Sequence, residues 1–399
     1  MLRKFIFGIV LLAIAYSCLE PYNVNIDGYD NLLVVDGLIT NENKSHTIEL
    51  RRSTTSITES SPYESGAVVF VTDDKGEQYY FAEFGPGVYK SDSTNLIVSE
   101  GDKLTLHIQT SDGNKYQSSE CEILPKTEIS NVYYKKNTAW DQEEENQNEG
   151  ISIYVDGSAS QSAYVRWMYE EDWKFMTPYP ERYAYTDDEI LISLPIENYI
   201  CWKTNQSNNI NVYSFSDQIG GEITNKEINF IPSDLSDRLT MRYSVLVKQL
   251  TISQEEYEYW RKLAESTEEV GDVFGKQPFS LRGNVFNVNN ESEPVMGYFQ
   301  TGSVLSKRIY IDYDEILKLD IPLYNIYENC NLDTFFTDEI DYPTPYDIYV
   351  GEVQNGNFKF YEPVYGEMGF NVVGLLLSNP ICSDCSLRGV TYPPAFWEE

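Results

Sequence analysis

Apolar and polar positions alternate over short runs along most of this chain, and turn signals close each run, which is the pattern of β-strands. Leu32 to Thr40 is the first run, and Thr47-Ile48-Glu49-Leu50-Arg51 alternates between two faces. Ala67 to Thr72 leads into the turn Asp73-Asp74-Lys75-Gly76, and Gln78 to Phe84 is closed by Gly85-Pro86-Gly87. Val88-Tyr89, Lys103 to Ile108 and Lys115-Tyr116-Gln117 follow, with Ser111-Asp112-Gly113-Asn114 as the last turn. Strands at this spacing predict an immunoglobulin-like β-sandwich over 29–125, a domain of about 100 residues.

The remaining residues, 126–399, predict a larger β-rich domain with one or two helices. Ile151 to Val155 and Ala163 to Tyr169 read as strands, as does Met241 to Leu250, with Tyr243, Val245 and Val247 on one face. One helix is predicted near 253–267. Ser253-Gln254-Glu255-Glu256 forms a capping box, and Tyr257, Trp260 and Ala264 recur at helical spacing. Asp141 to Glu149 reads as a polar acidic loop. The architecture is therefore expected to be mainly β, in two domains, as a chain of this length requires.

The first residues carry a different pattern. Arg3 and Lys4 precede an apolar run, Phe5 to Ala15, and then Ala15-Tyr16-Ser17-Cys18. The run is too short to span a bilayer, which takes about 20 residues. It fits a signal peptide, 1–17, ending in a lipobox. Cys18 is the expected lipid attachment site, and 18–28 a tether. The expected location is the outer membrane, lipid-anchored and facing the surface. Beyond the signal peptide 27 basic residues face 63 acidic ones, a net charge of −36. That charge repels phosphate backbones and anionic headgroups, so no nucleic-acid partner is expected and attachment falls to the lipid.

Little in the chain declares a chemistry. The two histidines, His46 and His107, lie in or beside strands and read as surface or edge residues rather than general bases. No nucleophile elbow, His-Glu-x-x-His or phosphate loop is present. The chain is expected to be non-enzymatic, with no cofactor and no metal. Cys382-Ser383-Asp384-Cys385 sits in a terminal loop without the four ligands of a zinc site. In an exported chain it reads as structural disulfide chemistry among Cys201, Cys330, Cys382 and Cys385, either as a ring within the pair or reaching Cys201 or Cys330. Two tyrosine–proline clusters, Thr177-Pro178-Tyr179-Pro180 with Tyr183, and Tyr342-Pro343-Thr344-Pro345-Tyr346, are rigid loops. Their tyrosines either cap the sheet or contact a ligand; Tyr179, Tyr183, Tyr342 and Tyr346 are the candidate ligand contacts.

Several segments together resemble the Bacteroidetes outer-membrane lipoproteins that carry domain of unknown function 4249. They are Cys18-Leu19-Glu20-Pro21-Tyr22, Leu33 to Gly37, Tyr199-Ile200-Cys201-Trp202-Lys203 and Gln254 to Trp260. Gly283-Asn284-Val285 and Gly297-Tyr298-Phe299 follow, and then a tail with Cys382 to Cys385, Gly389, Pro394 and Phe396-Trp397. Val390 departs from the second glycine expected there. The resemblance implies an accessory lipoprotein of a TonB-dependent β-barrel transporter, assisting nutrient capture or uptake. A free-standing surface module binding glycan or peptide, or acting in adhesion, is the alternative.

Overall fold

The computed structural model describes residues 31–54, 60–141, 146–159, 163–207, 209–215, 221–268, 281–328, 330–337, 343–367 and 369–398. Cys18 and Tyr342 lie outside them. The fold is mainly β with few helices. It divides into two compact units, Met1–Ile123 with Glu269–Thr301, and Leu124–Glu268 with Gly302–Glu399.

In the first unit seven strands carry the alternation seen in the sequence: β1 (Leu33–Thr40), β2 (Thr47–Arg52), β3 (Val68–Asp73), β4 (Gln78–Gly85), β5 (Val88–Ser91), β6 (Lys103–Gln109) and β7 (Lys115–Ser118). They lie in the order β7-β6-β3-β4-β5-β2-β1 within one antiparallel sheet. Leu33, Val35, Ile48, Leu50, Val71, Tyr89 and Leu106 fill its core with no exposed surface. The sequence reading ended this domain near Pro125. The chain instead returns to it: Val285–Asn287 pairs with β7, and Met296–Gly302 lies beside β1. Polar side chains fasten the returning segment. Tyr116 Oη donates to Glu293 Oε1 at 2.8 Å, and Asn287 Nδ2 donates to Glu293 Oε2 at 2.7 Å. The Asn284 amide exchanges two hydrogen bonds with the Phe299 backbone, both 2.8 Å. Burial, followed by Glu293, pushes the Tyr116 phenol up to about 12, so it remains a donor.

In the second unit the Tyr164–Met176 strand is central. It pairs with Ile200–Gln206, Asn211–Ser214 and Arg242–Ile252, and Val304–Asp312 extends the sheet. A three-stranded sheet of Glu128–Asp141, Asn146–Ser158 and Glu222–Pro232 shares its core. Trp167, Phe175, Tyr243, Val245, Val247, Ile151 and Ile153 are all fully buried there. The expected acidic loop is shorter than its composition implied. Asn146 to Glu149 extend the strand, because the ladder with Glu128–Asp141 continues to the pair Asn146–Asp141. A third sheet of Leu332–Phe336, Val372–Ser378 and Lys359–Tyr365 has its own small core around Phe360, Leu375 and Leu377.

The helix forms over Gln254–Glu268, started by Ser253 Oγ, which accepts from Glu256 N at 3.1 Å. Tyr257 packs on Tyr164 and Trp260 on Arg166, with the guanidinium 3.7 Å above the indole. The buried stripe is wider than the sequence spacing predicted and includes Tyr259 and Glu256. The Glu256 carboxyl accepts from Trp260 Nε1 at 3.2 Å.

Gly283 and Gly297, both in family-like segments, permit a close backbone approach. A Cβ on Gly283 would strike the Gly297 carbonyl, and one on Gly297 would strike the Val35 carbonyl. Gly297 also sits at φ +84°, which an L side chain rarely adopts. Gly297→Ala is expected to destabilise the first unit by at least about 2 kcal/mol. Denaturant unfolding checks this, and an unchanged midpoint contradicts it.

Candidate functional site

Two disulfide bridges tie together one corner of the second unit. Cys201 opens the Ile200–Gln206 strand, and Cys382 and Cys385 lie in two successive short helical turns, Pro380–Ser383 and Cys385–Leu387. Cys201 pairs with Cys385 and Cys330 with Cys382, each with Cα atoms 5.7 Å apart. The two cysteines of the terminal motif thus reach outward to different partners. Cys121 is in neither bridge; its Sγ accepts from Asn284 Nδ2 at 3.2 Å. Backbone bonds reinforce the corner: Cys385 N donates to Asn198 O at 2.8 Å, and Trp202 and Val390 exchange a pair at 2.8 and 2.9 Å.

A cleft of about 300 Å³ opens beside these bridges, lined by Glu181, Glu197, Asn198, Lys359, Ser383 and Asp384 among others. Its charges are largely committed. Lys359 Nζ lies 3.0 Å from Glu181, and Asp384 Oδ1 accepts from Ser386 N at 2.9 Å and Ser386 Oγ at 2.6 Å. A second cavity, about 260 Å³, lies at the start of the helix between Lys126, Thr127, Tyr164, Thr251 and Ser253. Among the described residues no group of three or more His, Cys, Asp or Glu side chains is placed to hold a metal ion.

Three buried carboxylates stand on or near the central strand, and each is saturated with donors. Glu171 accepts from Tyr243 Oη at 2.8 Å, Asn205 Nδ2 at 3.0 Å and Asn229 Nδ2 at 3.3 Å. Asp172 points to the other face, where Thr204 Oγ1 and Arg308 Nη1 donate at 2.6 and 2.8 Å. Asp237 receives Trp173 Nε1 at 2.9 Å and both Lys203 and Arg388 at 3.3 Å. Through these hydrogen bonds the three carboxylates tie neighbouring segments together.

A family model described as "Domain of unknown function (DUF4249)" matches residues 19–308. The chain belongs to that family. The matched span covers the Cys201 segment and the helix, while the Cys382–Cys385 motif and the Phe396-Trp397 tail lie beyond it. No curated protein matches the chain.

Of the four predicted ligand tyrosines, Tyr342 lies outside the described residues and the other three lie among other aromatic rings. Tyr183 and Tyr346 pack against the third core, Tyr183 with its ring 5.8 Å from Phe360 and Tyr346 5.9 Å from Tyr185. Tyr179 meets Tyr361 and Tyr327 edge-on at 5.2 and 5.6 Å. The sequence reading passed over a different set, Tyr80 and Phe84 on β4, which are 59% and 76% exposed. The signal was present: Tyr79-Tyr80-Phe81-Ala82 puts apolar groups on both faces of a strand that has only one face in the core.

His46 departs from the expected surface position: it is 1% exposed, and neither ring nitrogen has a hydrogen-bond partner. Burial and then Lys44 lower its pKa to about 4, against the pull of Glu42. The unfolded imidazole takes a proton near 6.5, so the folded first unit keeps its full stability above that pH. It loses about 3 kcal/mol as pH falls toward 4. Glu256 acts in the opposite direction. Burial raises its pKa to about 8, against the Trp260 hydrogen bond and Arg166. Its contribution is complete below about 4.5, the ordinary glutamate range, and is lost as pH rises through 8.

Two measurements follow. In denaturant titrations from pH 4 to 9, His46→Leu is expected to flatten the acid limb of the first unit and Glu256→Gln the alkaline limb of the second. Unchanged slopes contradict these assignments. Peptide mapping without reduction is expected to recover Cys201–Cys385 and Cys330–Cys382. Removing the first bridge, of sequence separation 184, should cost on the order of 4 kcal/mol.

Proposed function

We propose that this chain is a lipid-anchored outer-membrane protein that assists a TonB-dependent β-barrel transporter in capturing or admitting a nutrient. The observation that carries the reading is Ala15-Tyr16-Ser17-Cys18 after a short apolar run, an export and lipidation signal on a chain whose later cysteines pair. Paired cysteines belong to oxidising compartments, which an exported lipoprotein crosses. In this reading the lipid on Cys18 anchors the chain at the cell surface, with the first unit near the membrane, and the buried carboxylates are structural ties. The transporter partnership comes from the family resemblance, an analogy of class rather than of a site.

The alternative, a free-standing surface module for glycan or peptide, is favoured by one observation, the exposed aromatic face of β4.

Affinity purification through this protein from detergent-solubilised outer membranes, followed by mass spectrometry, tests the transporter reading. A stoichiometric TonB-dependent barrel is the expected result. Recovery of the lipoprotein alone overturns it.

A further inference from the structure

The outward face of the first unit's sheet is unusual for so acidic a chain. The register puts His107, Phe70 and Tyr80 side by side across β6, β3 and β4. Phe70 stacks on His107 with ring centroids 4.8 Å apart and lies 5.2 Å from Tyr80. His107 is held by Thr72, whose Oγ1 lies 3.0 Å from Nε2. Further along β4, Phe84 is covered by Lys90 of β5, with Nζ 4.0 Å from the ring centroid. Tyr80 and Phe84 are four residues apart, a span of roughly 13 Å along the strand.

Among the described residues, the outward side chains of β3 to β7 themselves include no aspartate or glutamate, although the whole chain carries 63; carboxylates sit at the Lys103 end, where Glu122 of the Cys121–Glu122 strand is the register partner of Lys103. The cations here are Lys90, Lys103 and Lys115, and Lys103 is bridged to Glu120 at 3.0 Å. Carboxylates resume on β2 with Glu49, itself held by Arg51 at 3.0 Å. Local charge decides what such a face attracts, because fields from the rest of the surface are screened within about 8 Å at physiological salt.

We propose that this face binds an acidic polysaccharide. Flat aromatic rings fit the C–H faces of sugar rings and give area at low entropy cost. Lys90 and Lys115 meet the carboxylate or sulfate groups of the polymer, and Gln78 and Gln117 supply amides for its hydroxyls. With the carboxylates kept to the Lys103 end and to β2, the stretch from Phe70 through Tyr80 to Phe84 and Lys90 presents no like charge to reject such a polymer. This inference stands apart from the transporter reading: a lone lipoprotein in the membrane purification leaves it intact, and loss of polymer binding leaves the transporter reading intact.

The test is titration of the full chain with polygalacturonate and with dextran sulfate, with neutral dextran and anionic phosphatidylglycerol vesicles alongside. At least one acidic polymer is expected to bind, more weakly as salt rises, and neutral dextran far less. Tyr80→Ala with Phe84→Ala is expected to weaken binding at least about tenfold, and Lys90→Glu to do the same. These side chains are exposed, so the unfolding midpoint should not move. Three results would overturn the proposal: no binding to either acidic polymer, binding unchanged in both variants, or vesicle binding that the same variants abolish.

Discussion

The second unit depends on one strand keeping two adjacent carboxylates on opposite faces. Along Tyr164–Met176 the odd-numbered side chains enter the core and the even-numbered ones face away. Glu171 therefore lies at the core, 3% exposed, and Asp172 beneath the other face, 1% exposed. Charges so buried are tolerated only when paired and hydrogen-bonded, and stripping one partner from such a pair costs about 3–5 kcal/mol. The neighbouring strands supply the partners: Tyr243 from one side, Asn205 and Thr204 from the other, and Arg308 from the strand beyond. A register slip of one residue would exchange the faces and leave both acids unmatched.

Arg308 extends this constraint to the end of the chain. Its guanidinium lies 3.5 Å above the Phe396 ring while bonding Asp172. Trp397 stands edge-on to Tyr310 and Trp202. The Cys201–Cys385 bridge fixes the chain on the way to this tail. One charged side chain thus serves a buried acid, a strand and a terminal aromatic.

The sequence was legible where one physical rule acted alone. Alternation placed the first seven strands, and it gave Tyr243, Val245 and Val247 their common inward face because nothing competed with burial there. It failed where polar residues do structural work. Asn284, Asn287 and Glu293 look like loop residues, yet they fasten the returning strands of the first unit. Asn146 to Glu149 look like an acidic loop, yet their backbone continues a ladder that composition cannot reveal. The cysteine motif announced disulfides but not their partners, since pairing depends on a tertiary approach across 184 residues. The tyrosine–proline loops drew attention by composition, while β4 hid its exposed rings among buried ones.

The proposed function rests on export and anchoring, and the paired cysteines are consistent with export. The intact mass of the protein taken from its native membranes tests this most directly. The account predicts a chain that begins at Cys18, carries a diacylglyceryl group and lacks residues 1–17. A chain retaining those residues, or one beginning elsewhere without lipid, would contradict it.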